Sequence, residues 1–259
     1  VDYVSALPDL APHFIIEMVA ETIEAKREVY AEVERCYPTG HYWLATGTSG
    51  LDLIVLAALL QRPERFLAIH YYMPAAVVAT VEVAAGPQTP AHAVDAVAAA
   101  LRRTGKDPLL LYRPVVGFII NRLQHAILNE AYRLIESGIT TAADIDRAAR
   151  AMLGPRMCIN GLIEQKDISG LRIHADAQRS IVPSLNHEAT ACALLQEMVA
   201  RGETGLDAGR GFYDWTGQSP KRVRQATADR LAALLRFLAE DRAKAAAALP
   251  SERDDAARP

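Results

Sequence analysis

Leu67-Ala68-Ile69-His70-Tyr71-Tyr72-Met73-Pro74 is a short apolar run that reaches a histidine and then turns at a proline. Val77-Val78-Ala79-Thr80 follows and leads into Val81-Glu82-Val83, a second apolar run with one acid inside it. The pattern reads as a strand, a turn and a returning segment, which lets His70 and Glu82 meet. A carboxylate held against an imidazole fixes its tautomer and steadies the imidazolium once a proton has been taken. This is a common way to build an acid–base group near neutral pH. The plainer alternative has His70 as a polar strand end and Glu82 facing water.

Outward from this stretch, strands and helices alternate, which is the α/β pattern. Ala11 to Val19, with Phe14-Ile15-Ile16, reads as a short buried strand. Thr22 to Arg35 is an amphipathic helix stopped by Pro38-Thr39-Gly40. Tyr42 to Thr46 is a second strand, ending in Gly47-Thr48-Ser49-Gly50, and Leu51 to Leu60 a short helix. Phe66 to Ile69 is the third strand, Val77 to Val83 is β-rich, Ala91 to Arg103 is helical and Leu109 to Tyr112 is another strand. After Gly117 the period changes. Phe118, Ile119, Leu123, Ala126, Ile127, Ala131, Leu134 and Ile135 share one helical face, and Ser137-Gly138 ends it. Thr141-Ala142-Ala143-Asp144 has the form of a capping box opening a helix to about Met152. Helical patterns also cover about 190–200 and 226–247, so the second half is all-helical.

Bulk properties exclude several classes of function. The chain has 259 residues, with 28 Lys+Arg against 31 Asp+Glu and a formal charge of -3. That balance gives no reason to expect a phosphate-tracking surface or a nucleic-acid partner. Cys36, Cys158 and Cys192 are scattered and odd in number, which reads as reduced thiols of a cytoplasmic protein and not as a disulfide frame or zinc site. No metal site is expected, since His125 and His174 have no acid or cysteine at ligand spacing. No apolar stretch is long enough to span a bilayer, and Val1-Asp2-Tyr3 has no basic leader. Arg210 reads as a turn residue and Lys221-Arg222-Val223-Arg224 as a solvated helix start.

Five stretches together resemble the 3-hydroxyacyl-CoA dehydrogenase family, including its lambda-crystallin and gulonate dehydrogenase branch. Ile15-Ile16-Glu17-Met18-Val19-Ala20-Glu21 with Lys26 is similar to the family's cofactor-side strand and loop. Ala45-Thr46-Gly47-Thr48-Ser49-Gly50-Leu51 resembles its Asn-Thr-Ser-Ser/Gly-Leu loop. His70-Tyr71-Tyr72-Met73-Pro74 with Val81-Glu82-Val83 resembles its His-Phe-Phe-Asn-Pro and Val-Glu-Val pair. Gly117-Phe118-Ile119-Ile120-Asn121-Arg122-Leu123 and Gly209-Arg210-Gly211-Phe212-Tyr213-Asp214-Trp215 complete the set. The resemblance runs from about residue 11 to 215.

It implies a partial Rossmann-type parallel sheet followed by an all-α domain. Residues 1–114 would be an incomplete dinucleotide-binding domain, 115–248 a helical substrate and dimerisation domain, and 249–259 a disordered tail. It also implies oxidation of a 3-hydroxyacyl-CoA with NAD, in fatty acid β-oxidation, by a homodimer. His70 would take the hydroxyl proton, Glu82 would orient His70, and Ser49 and Asn121 would hydrogen-bond the reacting oxygen or the imidazole. Met18, Val19, Glu21, Lys26 and Gly47 would lie against the cofactor. Without the family, Ser49 reads as a helix N-cap, Asn121 as a first-turn residue and Lys26 as a surface lysine. Tyr71, Tyr72 and Met73 read as packing and pocket wall.

Two departures lie at the site: Met73 and Gly47 stand where relatives often carry Asn. The larger departure is the Gly-x-Gly-x-x-Gly turn that grips a pyrophosphate, which this sequence lacks. About two βαβ units, at roughly 30 residues each, would precede the first strand here. The expectation is a truncated dehydrogenase chain. The alternatives are a dehydrogenase of a polar hydroxy acid such as carnitine or gulonate, a non-catalytic binding or dimerising form, and a half-enzyme completed by a separate N-terminal chain.

Overall fold

The computed structural model describes residues 6–7, 11–38 and 41–248. Thr39 and Gly40, expected to end the first helix, and the expected tail at 249–259 lie outside the described residues. The chain divides into two compact units, Val1–Gln124 and His125–Pro259.

The first unit is built on five strands among the described residues, in the spatial order of the chain. They are β1 (Phe14–Glu17), β2 (Trp43–Thr46), β3 (Phe66–Tyr71), β4 (Thr80–Ala85) and β5 (Asp107–Leu111). Three helices connect them: α1 (Ile23–Cys36), α2 (Leu53–Ala57) and α3 (Ala91–Arg103). β1, β2 and β3 pair in parallel, as do β4 and β5. β4 returns antiparallel to β3. The link from Tyr72 to Ala79 is far too short for the dozen or more residues of a parallel crossover, so the chain must reverse.

Side-chain alternation sorts the sheet into two buried faces. On one face Leu44, Phe66, Ala68 and Ala84 pack against Tyr30 and Val33 of α1, Leu53, Leu56 and Ala57 of α2, and Phe118. On the other, Ala45, Leu67, Ile69, Val81, Val83 and Ala85 pack against Val94, Val97 and Leu101 of α3. Each buried Val, Leu, Ile or Phe side chain among them contributes about 1.5–3 kcal/mol, so both faces are anchored. The register pairs His70 with Glu82 and Glu17 with Thr46. Parity then puts all four on the α1/α2 face. A slip of one residue would turn them onto the α3 face.

Several boundaries differ from the sequence reading, each for a local reason. α1 starts after Thr22, whose side chain caps Ala25 N–H, and the face it buries is Lys26, Tyr30 and Val33. α2 is only five residues long and is capped by Asp52. The segment from Val77 is a turn before it is a strand, because the N–H groups of Val77 and Val78 both bond Pro74 O.

The second unit is helical among the described residues, apart from two isolated bridges at Gly205–Arg210 and Arg210–Asp214. The unit boundary falls within α4 (Ile120–Glu136). α5 (Ala142–Ala148) is capped by Thr141, which accepts from Asp144 N–H at 3.2 Å. A π-helical segment leads on to α6 (Gly154–Asn160), α7 (Glu164–Ser169) and α8 (Leu171–Ile181). α9 (Ala193–Ala200) and α10 (Pro220–Ala248) close the unit. Stacked Tyr132 and Phe212 rings, 5.7 Å apart, and a bond from Tyr213 to Asp146 tie the 205–215 turn to α4 and α5. Among the described residues no helix is long and apolar enough to cross a membrane.

Candidate active site

His70 and Glu82 meet. Nδ1 of His70 lies 3.0 Å from Oε2 of Glu82, and both residues are buried, at 5 % and 1 % exposure. Three further donors converge on the same carboxylate. The Tyr72 hydroxyl donates to Oε2, and the backbone N–H groups of Ile119 and Ile120 donate to Oε1 at 2.8 and 3.0 Å. Those two N–H groups sit at the start of α4, where helix geometry leaves donors without intrahelical partners and the dipole favours an anion. The turn that aims them is unusual. Gly117 and Phe118 both have positive φ, 79° and 50°. A bulky residue in that region costs about 1–3 kcal/mol. The Phe118 ring is fully buried and lies 5.3 Å from the imidazole, so packing offsets that cost.

Burial pushes the Glu82 carboxyl up. The bonds from His70, Tyr72, Ile120 and Ile119 outweigh it and hold the carboxyl below the ordinary glutamate range. An ionised carboxylate only accepts, so Nδ1 of His70 carries a hydrogen, and in the neutral ring the lone pair is on Nε2. Among the described residues Nε2 takes no hydrogen bond. The depressed carboxyl fixes the sign of a stability effect. Its contribution is complete above the ordinary glutamate value and is lost as pH falls through the lower folded value. Glu82→Gln is therefore expected to flatten the fall in melting temperature as pH drops below the ordinary glutamate range. Melting curves across that drop in pH check this; equal acid slopes in the two proteins would refute it.

A second polar cluster lies on the same face at the ends of β1 and β2. Glu17 Oε1 accepts from Lys26 Nζ and Val19 N–H, at 2.9 and 2.8 Å. Oε2 accepts from Lys26 Nζ at 3.0 Å, Tyr30 at 3.1 Å and Thr46 at 2.8 Å. Burial drives the Tyr30 hydroxyl far above its ordinary pKa, so it acts here only as a donor. Lys26 is 1 % exposed and also faces Glu21 Oε2 at 3.5 Å. Glu21 in turn holds the loop after β2, accepting from Thr48 Oγ1 and from the N–H groups of Ser49 and Gly50. Burial raises the Glu21 carboxyl, but the bonds from Thr48, Ser49 and Gly50 and the Lys26 charge bring it below its ordinary value.

Several residues sit otherwise than the sequence reading placed them. Lys26 is no surface lysine; its ammonium is enclosed by Glu17, Glu21 and Thr46. Ser49 does not cap a helix, since Asp52 caps α2 and Thr48 Oγ1 receives Leu51 N–H. Asn121 does not satisfy its own helix. Its amide donates to the Ser49 carbonyl at 3.0 Å, which ties the β2 loop to the start of α4. Neither Ser49 nor Asn121 bonds the imidazole among the described residues. Met73 is 79 % exposed and forms no packed wall. Tyr72 bonds Glu82, and Tyr71 lies beneath the Lys106 ammonium, 5.9 Å from its ring centre. Gly47 and Met18 are complementary, since a Cβ on Gly47 would fall 2.1 Å from Met18 Sδ. Glu17 and Tyr72 were not anticipated. For Glu17 the sequence signal was the one used for Glu82, an acid inside an apolar run.

Glu17, Thr46 and His70 all lie at or near the carboxyl ends of parallel strands, and the Met18–Glu21 and Gly47–Gly50 loops follow from there. In open α/β sheets that edge is where nucleotides and their substrates bind. Fold and site thus define a Rossmann-like oxidoreductase with a helical second half. Models of the two domains of one such family match the chain. The 3-hydroxyacyl-CoA dehydrogenase NAD binding domain matches residues 2–113, and the C-terminal domain of the same family matches residues 117–215. A probable 3-hydroxybutyryl-CoA dehydrogenase of Bacillus subtilis is 31% identical over 78% of this chain and 69% of its own length. The 3-hydroxyadipyl-CoA dehydrogenase of Escherichia coli is 30% identical over 80% of this chain, which spans 43% of that enzyme. The 5-formyl-3-hydroxy-2-methylpyridine 4-carboxylate 5-dehydrogenase of Mesorhizobium japonicum is 27% identical over 86% of this chain and 72% of its length. A solved structure of the enzyme so named, described as an NAD+ dependent dismutase, aligns with a TM-score of 0.82 over 87% of this chain and 73% of that one, at 27% identity. The chain belongs to the 3-hydroxyacyl-CoA dehydrogenase family, whose cofactor is NAD.

The residues present at this edge have the chemistry to hold a part of that cofactor. Glu21 offers a half-exposed carboxylate held in place by four donors, Met18 and Val19 offer exposed apolar surface, and Gly47 presents backbone without a side chain.

Proposed function

We propose that this chain oxidises the 3-hydroxyl of a 3-hydroxyacyl-CoA, with His70 as the acid–base residue and Glu82 as the group that orients it. The observation that carries the reading is the 3.0 Å bond between two buried groups, which leaves the lone pair on Nε2. In the oxidation direction Nε2 takes the hydroxyl proton while the carbinol carbon becomes a ketone. NAD, when bound, receives the hydride. Glu82 stabilises the imidazolium so formed, and four fixed donors keep the carboxylate from turning. Ser49, whose hydroxyl has no partner among the described residues, would bond the reacting oxygen, with Asn121 holding its backbone. Glu21 would accept from the cofactor and Lys26 would brace Glu21 from inside the protein.

The test is NADH formation by the full chain with 3-hydroxybutyryl-CoA. A second substrate class has its own support, because the backbone follows the pyridine-carboxylate dehydrogenase with a TM-score of 0.82. That class is a small hydroxy or formyl carboxylic acid without CoA. Turnover of free acids but not thioesters would favour it, and turnover of neither would end both readings.

The second unit supports a homodimer. Ile159, Ile163, Ile168, Leu171 and Ile173, on α6, α7, α8 and the turns between them, are all exposed, five large apolar side chains within fifteen residues that a partner surface would cover. Light scattering on the full chain is expected to give twice the 28.2 kDa of one chain. Ile173→Asp should shift the population toward the single chain. A wild-type protein that stays monomeric at working concentration would refute the pairing.

A further inference from the structure

Among the described residues, Tyr72 is the one side chain besides His70 that hydrogen-bonds the Glu82 carboxylate. Its hydroxyl donates to Oε2, the same oxygen that receives His70 Nδ1–H. Its ring also lies edge-on to the imidazole, with centroids 4.5 Å apart and planes at 66°. It stands one residue beyond β3, where the chain has not yet turned away from β4. The motif this stretch resembles has a phenylalanine there, with no hydroxyl to donate.

We propose that Tyr72 is a positioning residue that completes a His70–Glu82–Tyr72 triad and limits how strongly the carboxylate holds the imidazole. Two donors on one oxygen divide its charge between them. The bond from Tyr72 therefore weakens the pull of Glu82 on Nδ1–H and makes the imidazolium less favoured than it would be beside a free carboxylate. For a group that must shed its proton to accept another from a hydroxyl, that keeps the base available at lower pH. Tyr72 is not itself a proton carrier. Burial, the bond to Glu82 and the Glu82 charge all hold its phenol far above its ordinary pKa. The titratable groups in this cluster are His70, Tyr72 and Glu82. The α4 turn adds two backbone N–H groups and the Phe118 ring, and β5 sets Leu109 beside Glu82. Among the described residues no Lys or Arg pairs with His70 or Glu82.

The inference rests on the acid–base reading of His70, but its test does not need turnover. In the full chain labelled with 15N-histidine, the Nδ1 resonance of His70 is read through the carbon-bound ring protons and assigned by its loss in His70→Gln. Tyr72→Phe keeps the ring and removes the hydroxyl, and is expected to move that resonance downfield as the bond to Glu82 strengthens. The same change made in Glu82→Gln should move it little. Tyr72→Leu, which removes ring and hydroxyl together, should move it in the same direction if Tyr72→Phe folds poorly. An unmoved or upfield resonance overturns the proposal, as does an equal displacement in the Glu82→Gln background, which would mark a ring effect. With an active substrate, Tyr72→Phe should lose about threefold in rate on the acid limb of the pH–rate profile and little at its plateau. A uniform loss at every pH would mark a merely structural residue and overturn the proposal. If no substrate turns over but the resonance moves, the reading of function fails and the triad stands.

Discussion

His70→Gln is expected to lower turnover by about two to four powers of ten while leaving cofactor affinity close to that of the wild type. The two effects separate because of where the imidazole sits. Nδ1 is committed to Glu82, and among the described residues Nε2 takes no hydrogen bond. Glutamine can still donate to Glu82 through its amide, so the carboxylate keeps a donor at that place. What is lost is a lone pair able to take a proton near neutral pH. The residues proposed to face the cofactor, Met18, Val19, Glu21 and Gly47, belong to the loops after β1 and β2 and, among the described residues, make no hydrogen bond to His70. Calorimetric titration with NAD and steady-state rates on the same preparation distinguish the cases. A rate within a factor of a few of the wild type would remove His70 from the chemistry. A matching loss of NAD affinity would instead make it a binding residue. Glu82→Gln should cost less in rate than His70→Gln, because it removes only the stabilisation of the charge and not its carrier.

The pair at the centre of this prediction was legible because it depends on local features. A strand of period two, a proline turn and a returning strand fix which residues oppose one another, and both polar residues interrupt otherwise apolar runs. The α/β alternation and the helical second half were legible for the same reason. What surrounds the pair was not. The donors on Glu82 come from residues 72, 119 and 120, and the last two are backbone groups aimed by the positive φ of Gly117 and Phe118. Helical periodicity alone ran through Phe118 and gave no hint of that turn. The Glu17 cluster needs β1, α1 and β2 in register before its parts meet. Lys26 looked like a surface residue because lysine usually is one. In the second unit α6, α7 and α8 carry apolar residues on exposed surface, so no single buried stripe marks them out.

Lys26→Met is expected to destabilise the first unit strongly, by about 3–5 kcal/mol. Methionine keeps the length and apolar character of the lysine stem, which packs on the α1 face beside Tyr30 and Val33. The loss is therefore electrostatic and not a cavity. Glu17 is buried, and Lys26 is the only cation bonded to it among the described residues. Without it the carboxylate retains only the neutral donors Val19 N–H, Tyr30 and Thr46. Removing one partner of a buried pair costs more than the pair contributed, because the remaining charge cannot reach water. Against a typical total of about 5–15 kcal/mol this is a large share. The cost should also reach the site, since Lys26 faces Glu21, and Glu21 holds the Thr48–Gly50 loop. Glu17→Gln combined with Lys26→Met removes both charges and keeps an acceptor for Tyr30 or Thr46. The double variant should recover about 2 kcal/mol relative to Lys26→Met alone. Denaturant unfolding of the two variants and the wild type measures that difference. If the double variant is no more stable than Lys26→Met, the stranded Glu17 charge is not the cause of the loss.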